Sequence, residues 1–233
     1  MLNKRGPFLL ALSGTLLLAL VLLPVHASST MMQQNSGGCF GCSSTLSLAF
    51  ANGVTSGNVI VIGVVIADAS FTVASVTDTL GSSFTQAVAS TNTSTPIVYI
   101  YYAILSSSGH DIVTVSFSAA APAQSVYLYE VSSVTTVGVA TATGSGIGMS
   151  ISTSSPASFQ TGAFLLGVIG TNSMRGSASP GAGFILSPDN SGLGVAYAQY
   201  SISGAPAQTN FQASTNSSVN WVEDGIALQP NLT

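Results

Sequence analysis

Between Gly6 and Thr233 the chain has no lysine and one arginine, Arg175; with Lys4 and Arg5 it carries three basic side chains against seven acids. Globular domains commonly hold about 25% charged residues, whereas Asp, Glu, Lys and Arg make up 4% here. So little positive charge excludes nucleic acid as a partner, because phosphate binding depends on Lys and Arg releasing counterions. Polybasic attachment to anionic lipid is excluded for the same reason. Cysteine is equally scarce, with only Cys39 and Cys42, both inside "GGCFGC". A structural zinc needs about four ligands, and after residue 27 only His110 could join the two thiols as a soft ligand. No convincing amphipathic helix is present either, which removes helix-based architectures from consideration.

What is present begins with "MLNKRGPFLLALSGTLLLALVLLPVHASST". Lys4 and Arg5 precede an apolar run from Pro7 to about Val25, and "VHA" supplies small residues before a cut after Ala27. That layout is a secretory signal peptide over residues 1–27. An uncleaved anchor is the alternative, since about 20 apolar residues span a bilayer. A pilin-type cut after Gly6 is opposed by Pro7 directly behind it. No second run of spanning length follows, so cleavage leaves a secreted or cell-surface chain without a membrane span. Removing residues 1–27 leaves Arg175 and seven acids, a net charge of 1 − 7 = −6. The remaining chain is apolar and clustered, the opposite of a disordered composition. Its size permits burial of roughly 70% of the unfolded surface.

Residues 28–43, "SSTMMQQNSGGCFGCS", are small, polar and aperiodic, which predicts a flexible leader. From 44 to 233 the pattern predicts a single β domain. "STLSLAFA" alternates with period two, and "NVIVIGVVIA" is an apolar run of strand length. "PIVYIYYAIL", "DIVTVSFS", "SVYLYEVS", "GAFLLGVIGT" and "GVAYAQYSIS" are rich in β-branched and aromatic residues, as strands require. Short strands punctuated by Gly, Pro, Asn and Ser predict an all-β, jelly-roll-like β-sandwich. An internal duplication is suggested by "SGNVIVIGVV" (56–65) beside "TGAFLLGVIG" (161–170), and by "SVYLYEV" beside "SVNWVED", which would make Glu130 equivalent to Glu223.

Several groupings invite chemistry. Cys39 and Cys42 in an exported chain should oxidise, either to a local disulfide worth only about 2 kcal/mol by loop closure or to a link between subunits. His110 beside Asp111 in "SSSGHD" invites the test of a Ser-His-Asp triad, but no G-x-S-x-G elbow accompanies it, and its Gly-containing turn before "IVTVSF" predicts a lone turn histidine. "GSGIG" (144–148) leads into a strand rather than a helix N-terminus, which predicts a flexible turn and not a phosphate loop. Glu130 and Glu223 would form a glycosidase pair only if they faced each other across roughly 5–10 Å. Asp78, Asp189 and Asp224 could contribute to a calcium site, the one cofactor these acids suggest, although no D-x-D-x-D-G loop occurs. Tyr99, Tyr101, Tyr127, Tyr129 and Trp221 would stack on sugars if exposed and line the core if not. Asn92, Asn216 and Asn231 head N-x-S/T sequons. Apolar strands without lysine leave sheet edges unguarded, so a strand such as 44–51 could pair with a neighbouring chain.

From residue 57 onward, "GNVIVIGVV…VASVTDTLGSSFTQAVAS…VYIYYAILSSSGHDIVTVSFSAAAPAQSVYLYEVSSV" resembles a widespread module of secreted bacterial and archaeal proteins. Its pattern runs G-N/D-x-x-V-V, S-V-T-D-x-x-G-x-x-F/Y, Y-Y-A and V-T-V-x-F-S. The likeness covers Gly57 to Val134, and the later half only through "TGAFLLGVIG" and the Trp221 strand. It implies a β-sandwich with an extracellular, surface or matrix role, and brings no catalytic residues. The leader-plus-sandwich plan is also similar to archaeal surface filament subunits that polymerise by strand donation. Together these expectations describe a structural or adhesive surface protein that self-associates or meets other surface proteins. The rival reading is a carbohydrate-binding module, and a glycan-active hydrolase stands third.

Overall fold

The computed structural model describes residues 27–41, 43–91, 96–154, 157–172, 177–189, 192–202 and 207–231. Among the described residues every regular element is a strand, as the apolar patterning requires. The organising strands are β3 (Val59–Ile66) and β11 (Phe164–Thr171), in which every residue is buried. Their runs lack alternation because both faces are covered by other layers.

Around β3 forms a five-stranded antiparallel sheet, in the order β1 (Thr30–Phe40), β8 (Ala123–Ser132), β3, β6 (Ile97–Ile104), β5 (Thr85–Thr91). Around β11 forms a second, in which β16 (Gln212–Pro230) and β14 (Ala196–Ile202) flank β11. Beyond them lie β9 (Val134–Ser152) on the β16 side and β13 (Ile185–Leu186) on the β14 side. The two sheets pack face to face through Val59, Val61, Val98, Ile100, Tyr127 and Tyr129 of the first and Phe164, Leu166, Val168, Val222 and Ile226 of the second. Burying each such side chain stabilises the fold by about 1.5–3 kcal/mol.

Each sheet also carries an outer layer. A three-stranded sheet of β2 (Thr45–Ala49), β7 (Ile112–Phe117) and β4 (Val73–Asp78) closes over Ile60, Ile62, Val64 and Leu128 with Val113, Val115 and Phe117. On the far side lie the pair β10 (Ala157–Phe159) and β15 (Ala207–Thr209), and β12 (Ala178–Pro180) alongside the start of β16. Ala157 and Phe159 of β10 pack with Leu165 and Ala227, and Ala178 of β12 packs against the cluster of Ile169 and Trp221. The protein is therefore two small β-sandwiches packed back to back.

The halves repeat each other. The orders β1-β8-β3-β6-β5 and β9-β16-β11-β14-β13 are the same order displaced by eight strands. Placing Val59 on Phe164 aligns the registers: Tyr99, Tyr102 and Ile104 lie opposite Val64, Val61 and Val59, while Tyr197, Tyr200 and Ile202 lie opposite Ile169, Leu166 and Phe164. Gly57 and Gly162, just before β3 and β11, both have left-handed backbones, with φ of 87° and 85°. The sequence Gly-x-x-Phe precedes the matching edge strands, as Gly81 and Phe84 before β5 and Gly181 and Phe184 before β13.

Three expectations are corrected. The segment 28–43 is not a loose leader: residues 30–40 form β1, in antiparallel register with Ser132 back to Ala123. An edge strand can be held by main-chain bonds alone, so its polar composition concealed it. "GSGIG" is not a turn but lies within β9, opposite Glu223 to Val219. By register Gly144 corresponds to Gly37, and Gly146 to Cys39. Its glycines serve close packing, since a Cβ on Gly146 would sit 2.8 Å from the Trp221 ring and one on Gly144 2.4 Å from the Ser152 carbonyl. Finally, Glu130 is not the equivalent of Glu223. Glu130 lies opposite Ile60 and corresponds to Ala227, whereas Glu223 lies opposite Ile169 and corresponds to Val126.

Candidate functional site

The N-terminal edge of the first sheet is little enclosed and specifically fastened. Of the eleven residues of β1 only Ser36 is buried. Met31 packs against the inter-sheet core, but the attachment is otherwise polar: the ladder to β8, and a set of side-chain bonds centred on Glu130. The Gln33 side-chain amide donates to Glu130 Oε2 (2.7 Å) and to the Asn52 carbonyl (3.2 Å). The other Glu130 oxygen accepts from Asn58 Nδ2 (2.6 Å) and the Thr55 amide (2.8 Å). Glu130 is only 2% exposed, and these three donors are what make a buried carboxylate tolerable. Asn35 Nδ2 donates to the Ala49 carbonyl, and Ser36 Oγ to the Pro188 carbonyl, tying β1 to both halves.

The start of β1 meets the end of the chain. The Ala27 amide donates to the Asn231 carbonyl at 3.2 Å, and the Asn231 amide donates to the Ser133 carbonyl. Ser133 is the single residue joining β8 to β9, and its φ of 60° makes it the only non-glycine residue with positive φ among those described. The covalent joint between the halves at Ser133 thus has a non-covalent counterpart where Asn231 meets Ala27. The repeat closes into a ring, with the start of β1 three residues beyond the junction.

The remaining groupings are dispersed. Glu130 projects with Val126 and Leu128 to the outer side of the first sheet, and Glu223 projects with Trp221 to the outer side of the second. Both sheets stand between the two carboxylates, so they do not face each other across a cleft. Glu223 accepts from Gln199 Nε2 at 2.7 Å, while its second oxygen has no hydrogen-bond partner. Burial pushes its carboxyl up to about 8. Asp224, pointing the other way into the inter-sheet core, is pushed up to about 7 by burial; nearby Ser90 opposes this without forming a hydrogen bond of ordinary geometry.

His110 is exposed, and the Asp111 carboxylate turns instead to the Thr79 amide and hydroxyl at 3.2 and 2.9 Å, so no triad is assembled. Asp78 accepts from the Ser82 amide in its turn and lies in a different sheet from Asp224. Among the described residues no three His, Cys, Asp or Glu side chains cluster. The five aromatics suggested for sugar stacking are core residues: Tyr127 and Tyr129 are 1% exposed, and Tyr99, Tyr101 and Trp221 at most 9%. Tyr127 donates to the Ala196 carbonyl, and Tyr129 pairs with Ser187 Oγ, so the inter-sheet core is stitched by their hydroxyls. Nothing in the sequence distinguished these tyrosines from exposed ones, because two-sided burial removes the alternation that marks a solvent face.

Cys39 lies on β1 opposite Gln124, whose amide is 3.6 Å from its sulfur. Cys42, Asn92, residues 1–26 and residues 232–233 lie outside the described residues, and with them the bridge, the Asn92 sequon, the last two positions of the Asn231 sequon and all of the signal peptide but Ala27. Asn216 and Asn231 are exposed. A groove of 720 Å³ is lined by Thr135, Val137 and Ala140 of β9, by Ser158, Phe159 and Gln160, and by Gln229 to Asn231. No sequence signal pointed to it. Among the described residues no helix is long and apolar enough to cross a membrane. No family model, no curated protein and no solved structure matches this chain.

Proposed function

We propose that this chain is an exported structural protein of the cell surface or extracellular matrix, and that it self-associates through edge-strand pairing with β1 as the exchanged or extended strand. The observation that carries this reading is β1 itself. It is an uncharged strand at a sheet edge, fastened chiefly by main-chain and amide bonds, with its N-terminal end beside the junction of Ala27 and Asn231. Such a strand has the same bonds to gain from the β8 of a neighbour as from its own, and no lysine guards the edge. The apolar segment with its small-residue cut supports export, and so does the resemblance to secreted sandwich modules. Cys39 and Cys42, as a local bridge, would stiffen the segment where β1 leaves the sheet. The stacking residues of the carbohydrate-binding alternative are in the core, so no second reading is favoured.

Deleting β1 would strip the edge of β8 and unfold the sheet, so the test is a lock. Thr30 and Ser132 are register partners at the end of the ladder, and T30C/S132C joins β1 to its own β8. In a C39S/C42S background, size exclusion with light scattering on residues 28–233 should show large species for the unlocked chain. The oxidised, locked chain should be monomeric, and reductant should restore assembly. An unlocked chain that stays monomeric at every concentration removes the assembly reading. Assembly that persists when locked removes β1 as its agent, and assembly lost on C39S/C42S alone makes the cysteines the link.

A further inference from the structure

The groove beside β9 has no part in the edge-strand reading, and its lining has a definite chemistry. Its apolar lining is Ala140, the exposed Val137, Pro230 and the partly buried Phe159. Its polar groups are all neutral: the amides of Gln160, Gln229 and Asn231, and the hydroxyls of Thr135 and Ser158. Gln229 is a fixed wall, since its Nε2 donates to the carbonyls of Gly138 and Ser158 and its Oε1 accepts from the Gln160 amide. A volume of 720 Å³ falls in the ~300–1,000 Å³ range of ligand sites. Neutral amides and hydroxyls around an aromatic ring suit an uncharged, hydroxyl-rich ligand. They give no anchor to an ionic one, whose buried charge would go unpaired.

One residue on the rim says where such a ligand would come from. Asn231 heads the sequon Asn231-Leu232-Thr233, is exposed, and is held by its backbone amide to the Ser133 carbonyl, a contact that remains after a cut behind Ala27. Its position on the lining is therefore set by the meeting of the two halves. We propose that Asn231 carries an N-linked oligosaccharide and that the groove seats the first sugars of that glycan, against Phe159 and Pro230 and between Gln160 and Thr135. The seated glycan would cover Val137, among the described residues the most exposed large apolar side chain at 78%, and the bulge around Gly138 where the β9–β16 register shifts. This inference rests on export, because the modification is made on secreted chains.

The test uses the full chain recovered from the culture of a glycosylating host, with glycopeptide mass analysis of the C-terminal peptide and amide hydrogen exchange over residues 135–140 and 158–160. Asn231 should carry a glycan. Exchange in both segments should be slower by about tenfold, equivalent to about 1.4 kcal/mol, than in Thr233→Ala, which abolishes the sequon and leaves Asn231 in place. Phe159→Leu, which keeps the apolar volume and removes the ring, should lose that protection in the glycosylated chain and change nothing in T233A. An exported chain bare at Asn231 overturns the inference and leaves export standing, whereas a chain retained inside the cell overturns both. A glycan at Asn231 without protection of the groove overturns the seat. If unglycosylated T233A gains the same protection from added glycoprotein of that host, the occupant belongs to another molecule and the assignment to Asn231 falls.

Discussion

Glu130 and Glu223 show how much the immediate neighbours of a buried carboxylate decide. Glu130 receives three hydrogen bonds, from Gln33, Asn58 and Thr55, and through Gln33 it fastens β1. Glu130→Gln turns an amide NH₂ toward at least one of these donors and leaves buried groups unmatched. It should cost about 1–3 kcal/mol in denaturant unfolding, and hydrogen exchange of β1 should quicken more than that of β3. At Gly146 a Cβ would lie 2.8 Å from the Trp221 ring. Gly146→Ala should therefore destabilise by about 1–3 kcal/mol through overpacking, accompanied by a change in Trp221 fluorescence. Sequence inspection could rank neither residue. Glu130 looks like a strand carboxylate among others, and Gly146 like part of a turn.

Elements behave as pairs related by the repeat. β3 and β11 were legible because an unbroken apolar run of strand length is unambiguous. β1 and β9 were not. β1 is polar along its length, and β9 is a nineteen-residue strand that bulges against β16 and includes the glycines that suggested a turn. The ring gives this level its own prediction. With Ala27 and Asn231 already in hydrogen-bond contact, a short linker joining them and new termini opened between Ser133 and Val134 should yield a permutant with native circular dichroism and cooperative unfolding, as permutation at adjacent surface termini allows. Opening the chain at this point would also free Ser133 from its left-handed backbone, a conformation that costs non-glycine residues on the order of 1–2 kcal/mol. A permutant that unfolds in two transitions would mean that the halves are separate folding units.

For the molecule as a whole, scarcity of charge and burial of the charges present act in the same direction. Glu223 and Asp224 have folded-state values pushed up to about 8 and about 7, above those of exposed carboxylates, and burial raises Asp111 as well. Between the unfolded and folded values the native state binds more protons than the unfolded chain, so stability falls as pH rises. The contribution is complete below the ordinary carboxylate range and is lost as pH climbs through about 7 to 8. Thermal unfolding midpoints should thus rise on acidification from pH 8, the reverse of a protein whose carboxylates are salt-bridged. Glu223→Gln should flatten part of that slope while keeping a side chain that accepts from Gln199. At low pH the chain after residue 27 holds Arg175 and His110 as its only cationic side chains, so acid-induced self-repulsion is almost absent.

The amino-acid sequence by itself determined the all-β class, the near-absence of ions and the central buried strands, because composition and apolar run length act locally and survive without knowledge of neighbours. It also carried the trace of duplication, though with the wrong pairing of Glu130 and Glu223. Only the tertiary structure decided that β1 is a strand, that the tyrosines face the core, that the repeat closes into a ring at Asn231 and Ala27, and that a neutral groove lies beside that junction. Each of these depends on which residue stands opposite which across a sheet or between sheets. Register and layer packing are set by contacts between residues far apart in the chain, and no local pattern encodes them.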